Sequence, residues 1–165
     1  MKKFWFFVFF ALTTAAFADD PITGYWTRVD KAGVLSVWEV YVENSLLNGR
    51  IIYTSNPLVK SDTKAAYCKT AYAGFPLAGK VNELPVLNTP WIWGLKNDKE
   101  GVWSGGKIIN VEDGKMYQCK ITFHAPDGKK FKSETLEMRG EIGMGIGGSD
   151  YWRRATKEET ALRNK

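Results

Sequence analysis

Side chains that commonly carry out chemistry are scarce in this sequence. The chain has one histidine, His124, just before a turn at residues 126–128, and two cysteines, Cys68 and Cys119, which stand 51 positions apart. A lone histidine beside a turn is more typical of a solvated residue than of a general base, and no serine–histidine–aspartate set is recognisable around it. Zinc sites need closely spaced ligand pairs, which are also missing here. The sequence therefore predicts no enzyme, no metal site and no cofactor.

The two cysteines indicate a structural bridge. An even number of cysteines in an oxidising compartment favours a disulfide. A bridge between Cys68 and Cys119 would close a loop of about 50 residues, worth about 4 kcal/mol in the loop-entropy model. Two separate buried thiols are the alternative, because the sequence does not show that the two residues meet.

Neither glycine-rich stretch has the spacing of a nucleotide-binding loop. Residues 140–145 contain no Rossmann fingerprint, and Gly105-Gly106-Lys107 has no glycine at the upstream position that a Walker loop requires. Glycines within β-sequence mark bulges, or places where the backbone approaches a large side chain. We therefore interpret these glycines as parts of strands.

Aromatic side chains are the best candidates for ligand contacts. Seven tryptophans are present, and aromatic residues make up 14% of the chain, enough to line a cavity or to fill a core completely. Small-molecule pockets are lined mainly by apolar and aromatic side chains with a few polar groups. The ligand-binding candidates are Trp38, Trp91, Trp93 and Trp103.

Short strands must position these side chains. Alternating and β-branched segments recur between turn signals such as Asn48-Gly49, which predicts an all-β, antiparallel, up-and-down barrel, since closure removes exposed sheet edges. Residues 55–90 hold four prolines and predict a long loop with one or two short strands, and residues 156–163 predict a short C-terminal helix or tail. The clearest strand segments are Val34–Val42, Arg50–Tyr53, Trp91–Leu95, Gly105–Ile109, Met116–Phe123 and Phe131–Arg139.

Residues 1–18 have the pattern of a cleavable signal peptide. Lys2 and Lys3 precede an apolar run over residues 4–12, and Ala16-Phe17-Ala18 supplies the small residues that signal peptidase requires. The run is shorter than the ~20 residues that span a bilayer as a helix; an uncleaved anchor is the alternative. We expect an exported protein, periplasmic or secreted, with residues 19–165 as a single domain.

Charge and hydropathy exclude two classes of partner. The formal net charge of the whole chain is +5, and loss of Lys2 and Lys3 with the signal leaves 21 basic against 18 acidic residues. That excess is too small to indicate nucleic-acid binding. No second apolar stretch approaches membrane-spanning length, so we expect no membrane span in the mature chain.

The two ends of the predicted domain form a pair. Gly24-Tyr25-Trp26 opens it, and Trp152-Arg153-Arg154 closes it. The first and last strands of a barrel are neighbours, so a late arginine can lie across the early tryptophan, combining cation–π attraction with hydrogen bonds to carbonyl groups. We therefore expect a structural role for Trp26, Trp152 and an arginine beside it.

With these segments in order, the sequence resembles the DUF2147 family of small exported bacterial proteins, which have no characterised function and a lipocalin-like (calycin) fold. The resemblance implies Arg154 as the arginine that meets Trp26. The chain departs from the family pattern at Asn110-Val111, where an Asp-Pro pair is usual, and at residues 147–150, which are glycine-rich. The matching segments cover most of residues 19–165: Gly24-Tyr25-Trp26, Asn48-Gly49-Arg50-Ile51, Trp103-Ser104-Gly105-Gly106-Lys107-Ile108, Asp113-Gly114-Lys115-Met116-Tyr117, Leu136-Glu137-Met138-Arg139-Gly140 and Trp152-Arg153-Arg154.

A lipocalin-like fold implies a small apolar molecule held within the barrel, although fold alone does not fix function. We expect an exported binding protein for a small apolar or amphiphilic ligand. The alternative is a ligand-free envelope module that binds another protein, with its tryptophans packed inside the barrel and an apolar patch outside.

Overall fold

The chain folds as a closed barrel of eight antiparallel strands, in a computed structural model that describes residues 20–143 and 146–164. The expected signal peptide lies outside these residues. Each strand pairs with the next along the chain, and the last returns to the first. The strands are β1 Gly24–Asp30, β2 Gly33–Glu43, β3 Leu46–Thr54, β4 Pro90–Lys99, β5 Val102–Asn110, β6 Lys115–His124, β7 Thr135–Gly143 and β8 Ile146–Arg154.

Alternation along the strands sets the two faces of the barrel. In β6, Cys119 and Ile121 are buried inside, while Gln118 and Lys120 face solvent. Tight hairpins join most neighbours; the turn at Gly101, whose φ is 69°, uses the left-handed backbone that glycine adopts without strain. The predicted up-and-down, lipocalin-like barrel is confirmed.

Several boundaries differ from the prediction. The turn expected at Asn48-Gly49 lies at Asn44 and Ser45, which adopt the left-handed backbone with φ of 51° and 62°, and Asn48-Gly49 falls inside β3. The strand predicted from Phe131 begins at Thr135, because the Asp127 carboxylate accepts hydrogen bonds from the N–H groups of Lys129 and Phe131 and holds that segment as a loop. Residues 55–89 form no regular strand; they contain one isolated bridge, Lys64 with Pro85, and a 3-10 helix at residues 81–83.

This long connection packs against the outer face of β4. The Phe75 ring contacts Trp91 and Trp93, with ring centroids 6.0 and 5.2 Å apart. Trp91 also donates its indole N–H to the Val86 carbonyl at 2.7 Å. The connection therefore forms a second layer that buries two tryptophans outside the barrel.

The C-terminal segment covers the outer face of β1. A short helix, α1 (Lys157–Thr160), continues as a 3-10 helix over Ala161–Asn164, and none of the described helices is long or apolar enough to cross a bilayer. A capping box between Thr156 and Glu159 starts α1. The same Glu159 carboxylate accepts the Thr27 hydroxyl hydrogen and pairs with Arg153, which fixes the helix to the barrel.

One end of the barrel, which we call the closed end, is sealed by residues 20–23. Arg154 lies over the Trp26 ring at 3.8 Å and donates to the carbonyls of Thr23 and Pro21 at 2.8 and 2.7 Å. Gly24 has φ 116°, and a Cβ there would lie 3.1 Å from the Arg154 guanidinium, so both the turn and the space require glycine.

Asp20 anchors the same segment to the opposite wall. Its Oδ2 accepts the Trp103 indole N–H at 3.1 Å and the Gly101 backbone N–H at 3.3 Å, while Oδ1 accepts the Ile22 backbone N–H. Ile22 is completely buried beneath this crossing. The segment therefore closes the barrel with one arginine and one aspartate.

We expect Arg154→Ala to destabilise the fold by about 2–4 kcal/mol, more than the cation–π contact alone would give, because two carbonyl groups lose a charged donor. Urea denaturation measures the change, with Lys31→Ala, an exposed residue in the turn after β1, as the control. A midpoint equal to that of the unmodified protein would show that the crossing is dispensable.

Glu159 should make stability depend on acidic pH. Hydrogen bonds from Arg153 in particular, and from Thr156 and Thr27, lower its pKa from 4.5 to about 2. Because folding lowers this pKa, the carboxylate stabilises the fold above about pH 4.5, and the contribution is lost as the pH falls towards 2.

Glu159→Gln should therefore reduce the free energy of unfolding by about 1–2 kcal/mol at pH 7, allowing for solvent screening around Arg153. The difference from the unmodified protein should vanish near pH 2, in urea titrations across that range. Glu100→Gln, in an exposed hairpin, serves as the control. A difference that stays constant with pH would contradict the assignment.

Candidate ligand-binding mouth

The inner face of the barrel becomes steadily more exposed away from the closed end. Along β8, Trp152 is 1% exposed, the Asp150 side chain 35%, and Gly148 is exposed. Along β1, Trp26 is completely buried, whereas the Arg28 side chain is 45% exposed. We call the exposed end the mouth and define it by Arg28, Ser36, Tyr117, Gly148 and Asp150.

The closed half of the barrel is packed with side chains. Gly49 and Gly106 face inward there, and a Cβ on either would press against Ile92 or Leu95. A Cβ on Gly148 would meet no described atom within 4 Å. The inward residues with complete burial in this half are Trp26, Leu47, Leu95, Trp103, Ile121 and Leu136.

Two stacked tryptophans form the floor of the mouth. The rings of Trp38 and Trp152 lie 5.1 Å apart at an interplanar angle of 26°. Ile51 and Ile108, which are 6% and 8% exposed, stand at the same level on other walls. From Trp152 to Gly148 the strand rises about 13 Å, which gives a mouth about 10 Å deep at the usual strand tilt.

The polar groups of the mouth form two hydrogen-bonded sets, one around Asp150 and one at Ser36. Arg28 Nε donates to Asp150 Oδ2 at 2.6 Å, and the Trp152 indole N–H donates to the same oxygen at 3.2 Å. The Trp38 indole N–H donates to Ser36 Oγ at 3.0 Å. Both floor tryptophans are therefore oriented by polar residues nearer the opening.

The Arg28–Asp150 pair also spans the seam of the barrel. β1 and β8 pair at only two positions, Trp26 with Arg154 and Thr27 with Arg153. Beyond these positions towards the mouth, the ion pair takes the place of the backbone ladder. The seam is thus held by side chains on both sides of a short backbone contact.

The four tryptophans predicted as ligand contacts separate into three locations. Trp38 lies on the floor of the mouth, and Trp103 lies in the closed half, bonded to Asp20. Trp91 and Trp93 alternate with the inward Ile92 and so face outward, beneath Phe75. The structure therefore brings only Trp38 of this group to the mouth.

Sequence reasoning missed the polar residues of the mouth. Arg28 follows Trp26 by two positions, and Asp150 precedes Trp152 by two, so the strand period places each of them on the face of its tryptophan. That signal was available in the sequence. What was not available was the pairing of the two strands that makes Arg28 and Asp150 partners.

His124 lies on the outer face, away from the mouth. Its Nε2 is 2.8 Å from Glu137 Oε2, and its ring stacks on Phe131 at 4.1 Å. The Ser149 hydroxyl donates to the other Glu137 oxygen, and the hydrogen bonds from Ser149 and His124 lower the pKa of Glu137. The carboxylate separates the serine from the histidine, so this cluster holds the β6–β7 connection and makes no nucleophile–base pair.

The predicted disulfide does not form in this structure: Cys68 and Cys119 are both free, buried thiols. Cys68 lies against Gly114 at the start of β6, while Cys119 is five residues further along that strand. Five strand residues span about 16 Å, whereas a disulfide requires Cα atoms about 4–7 Å apart. Complete burial raises the pKa of the Cys119 thiol far above its usual value.

Comparison with known proteins agrees with this architecture. A family model described as "Uncharacterized protein conserved in bacteria (DUF2147)" matches residues 24–154. A solved structure titled "Protein HP1028 from the human pathogen Helicobacter pylori belongs to the lipocalin family" is similar over 86% of this chain and 88% of that one, with 17% identity and a TM-score of 0.63. No curated protein sequence matches significantly.

We expect thiol titration of the protein, purified without reductant, to find two reactive thiols per chain after unfolding in denaturant and almost none before it. Burial of both sulfurs in the folded protein is the reason. Reduced and alkylated protein is the control. Unfolded, unreduced protein with no reactive thiol would restore the disulfide, and would require the β5–β6 hairpin to move.

Proposed function

The chain belongs to the DUF2147 family, and from that premise we propose that it is an exported protein that binds a small amphiphilic molecule in the mouth of its barrel. The observation that carries the proposal is the graded inner face, which changes from complete burial to an accessible mouth over an aromatic floor. Barrels of eight strands can hold one small ligand when side chains do not fill them.

The chemistry of the mouth supports an amphiphile over a purely apolar molecule. Trp38, Trp152, Ile51 and Ile108 offer apolar surface at the floor. The groups nearer the opening, Arg28 foremost, are charged or polar. Ligand pockets characteristically combine an apolar lining with a few polar groups that set orientation. The proposal involves no catalysis, because the mouth offers binding groups and no nucleophile beside a base.

Binding to another protein is the second candidate. It is supported by the packed closed half and by large apolar side chains exposed outside the barrel. Ile142 is 73% exposed and Ile146 64%, on the two strands that meet at the mouth. Leu58 and Tyr67, on the long connection, are exposed as well. Exposed apolar groups of this kind mark interaction surfaces when they are contiguous.

Filling the mouth tests the proposal directly. Gly148 faces inward without left-handed backbone, so Gly148→Leu should place its side chain in the mouth with little strain. We expect the affinity for 1-octanol, followed by tryptophan fluorescence, to fall about tenfold or more, since a leucine excludes the ligand from the floor. Lys120→Leu, the same side chain on the outer face of β6, should leave the affinity unchanged.

Two further results bear on the proposal. Protein extracted from its native host should release a small amphiphile detectable by mass spectrometry. An absence of any released molecule, together with flat titrations by alcohols and fatty acids of several chain lengths, would refute ligand binding. Equal affinities of the unmodified protein and Gly148→Leu would place the ligand elsewhere.

A further inference from the structure

We infer that the mouth selects ligands with an anionic head group, which Arg28 binds through its unused guanidinium hydrogens; this inference rests on the proposed function. The Nε of Arg28 donates a hydrogen bond to Asp150. Its two Nη groups have no hydrogen-bond partner within residues 20–143 and 146–164. Both Nη groups are left, and together they carry four N–H donors in a plane that suits a carboxylate or a phosphate.

Asp150 holds the guanidinium in position without consuming its donor capacity. One carboxylate oxygen accepts from Arg28 Nε and from the Trp152 indole, and the other accepts from the Tyr151 backbone N–H at 3.1 Å. The contact with Arg28 is therefore one-sided, unlike a bidentate pair that would occupy a whole edge of the guanidinium. An arginine held in this way loses little further freedom when an anion binds.

Two other carboxylates near the mouth, Asp30 and Asp113, are also engaged by nearby backbone groups. Asp30, two residues beyond Arg28, accepts the backbone N–H groups of Ala32 and Gly33. Asp113 accepts the backbone N–H of Lys115 and pairs with its ammonium group at 3.4 Å. These two carboxylates and Asp150 therefore already accept hydrogen bonds, whereas both Nη groups of Arg28 stay available to a ligand.

Geometry places this donor set above the apolar floor. Arg28 pairs with Ser36 across β1 and β2, one step nearer the opening than the pair of Trp26 with Trp38. An alkyl chain lying against Trp38 and Trp152 would therefore bring its head group to the level of Arg28. A carboxylate or a phosphate ester on a short chain fits this order, whereas an ammonium head group would face the guanidinium unfavourably.

Three probes with the same chain separate the head group from the tail: octanoate, 1-octanol and octylamine at pH 7.5. We expect Arg28→Gln to reduce the affinity for octanoate about tenfold, the value of one charged hydrogen-bonded contact, and to leave that for 1-octanol unchanged. Asp150→Asn keeps an oxygen for the Trp152 indole and removes a negative charge, so octanoate should bind more tightly to it. The unmodified protein should bind octylamine most weakly.

Arg50→Gln is the matched control, because Arg50 pairs with Glu39 on the outer face of the barrel at 2.7 Å. It should leave all three affinities unchanged. Opposite effects of Arg28→Gln and Asp150→Asn on octanoate would distinguish head-group binding from loss of the seam, since damage to the seam would weaken binding of octanoate and 1-octanol in both variants.

The two proposals can fail separately. Suppose that 1-octanol binds and that Gly148→Leu abolishes this binding. If the affinity for octanoate is then the same in the unmodified protein and in Arg28→Gln, the head-group inference is overturned and the binding function stands. If none of the three probes binds, both are overturned. Preference for octylamine over octanoate would reverse the assignment and make Asp150 the head-group partner.

Discussion

The guanidinium of Arg154 lies where the chain begins and ends its barrel, and the remaining architecture depends on that contact. Backbone hydrogen bonding between β1 and β8 covers only two residue pairs, whereas neighbouring strands elsewhere pair at up to eight positions. Such a short ladder contributes few backbone hydrogen bonds to the closure of the sheet. Arg154 compensates by stacking on Trp26 and by binding the carbonyls of residues 21 and 23, which draws the N-terminal segment across the end of the barrel.

Closure at one end determines where the inner face of the barrel is exposed. Because residues 20–23 and the indoles of Trp26 and Trp103 occupy the closed half, the exposed part of the inner face lies in the other half. The floor of that space is the Trp38–Trp152 stack, whose indole N–H groups are bonded to Ser36 and Asp150. A stable base and an accessible mouth therefore follow from one asymmetric distribution of large side chains.

The sequence was sufficient for the barrel and for its closed end. Alternation in β6 and the paired motifs at Trp26 and Trp152 are local signals, and the strand period converts them directly into faces. The structure of residues 55–89 could not be predicted in the same way. This segment has no periodic pattern of apolar residues, and some of the residues that contact β4 are distant from it in sequence. For that reason Trp91 and Trp93 could not be distinguished from inward tryptophans before the structure showed Phe75 above them.

The same limit explains the cysteines and the mouth. A disulfide between Cys68 and Cys119 was reasonable from number and compartment, but its formation depends on where the long connection meets the β5–β6 hairpin. Arg28 and Asp150 each carry a local signal, the two-residue step from a buried tryptophan, yet only the register of β1 and β8 makes them partners.

The ion pair between Arg28 and Asp150 has two consequences. It closes the seam where the backbone ladder stops, and it holds a guanidinium whose two Nη groups have no hydrogen-bond partner among the described residues. In our proposal the same charge serves both closure and recognition, so substitutions that separate charge from shape are needed to distinguish the two roles.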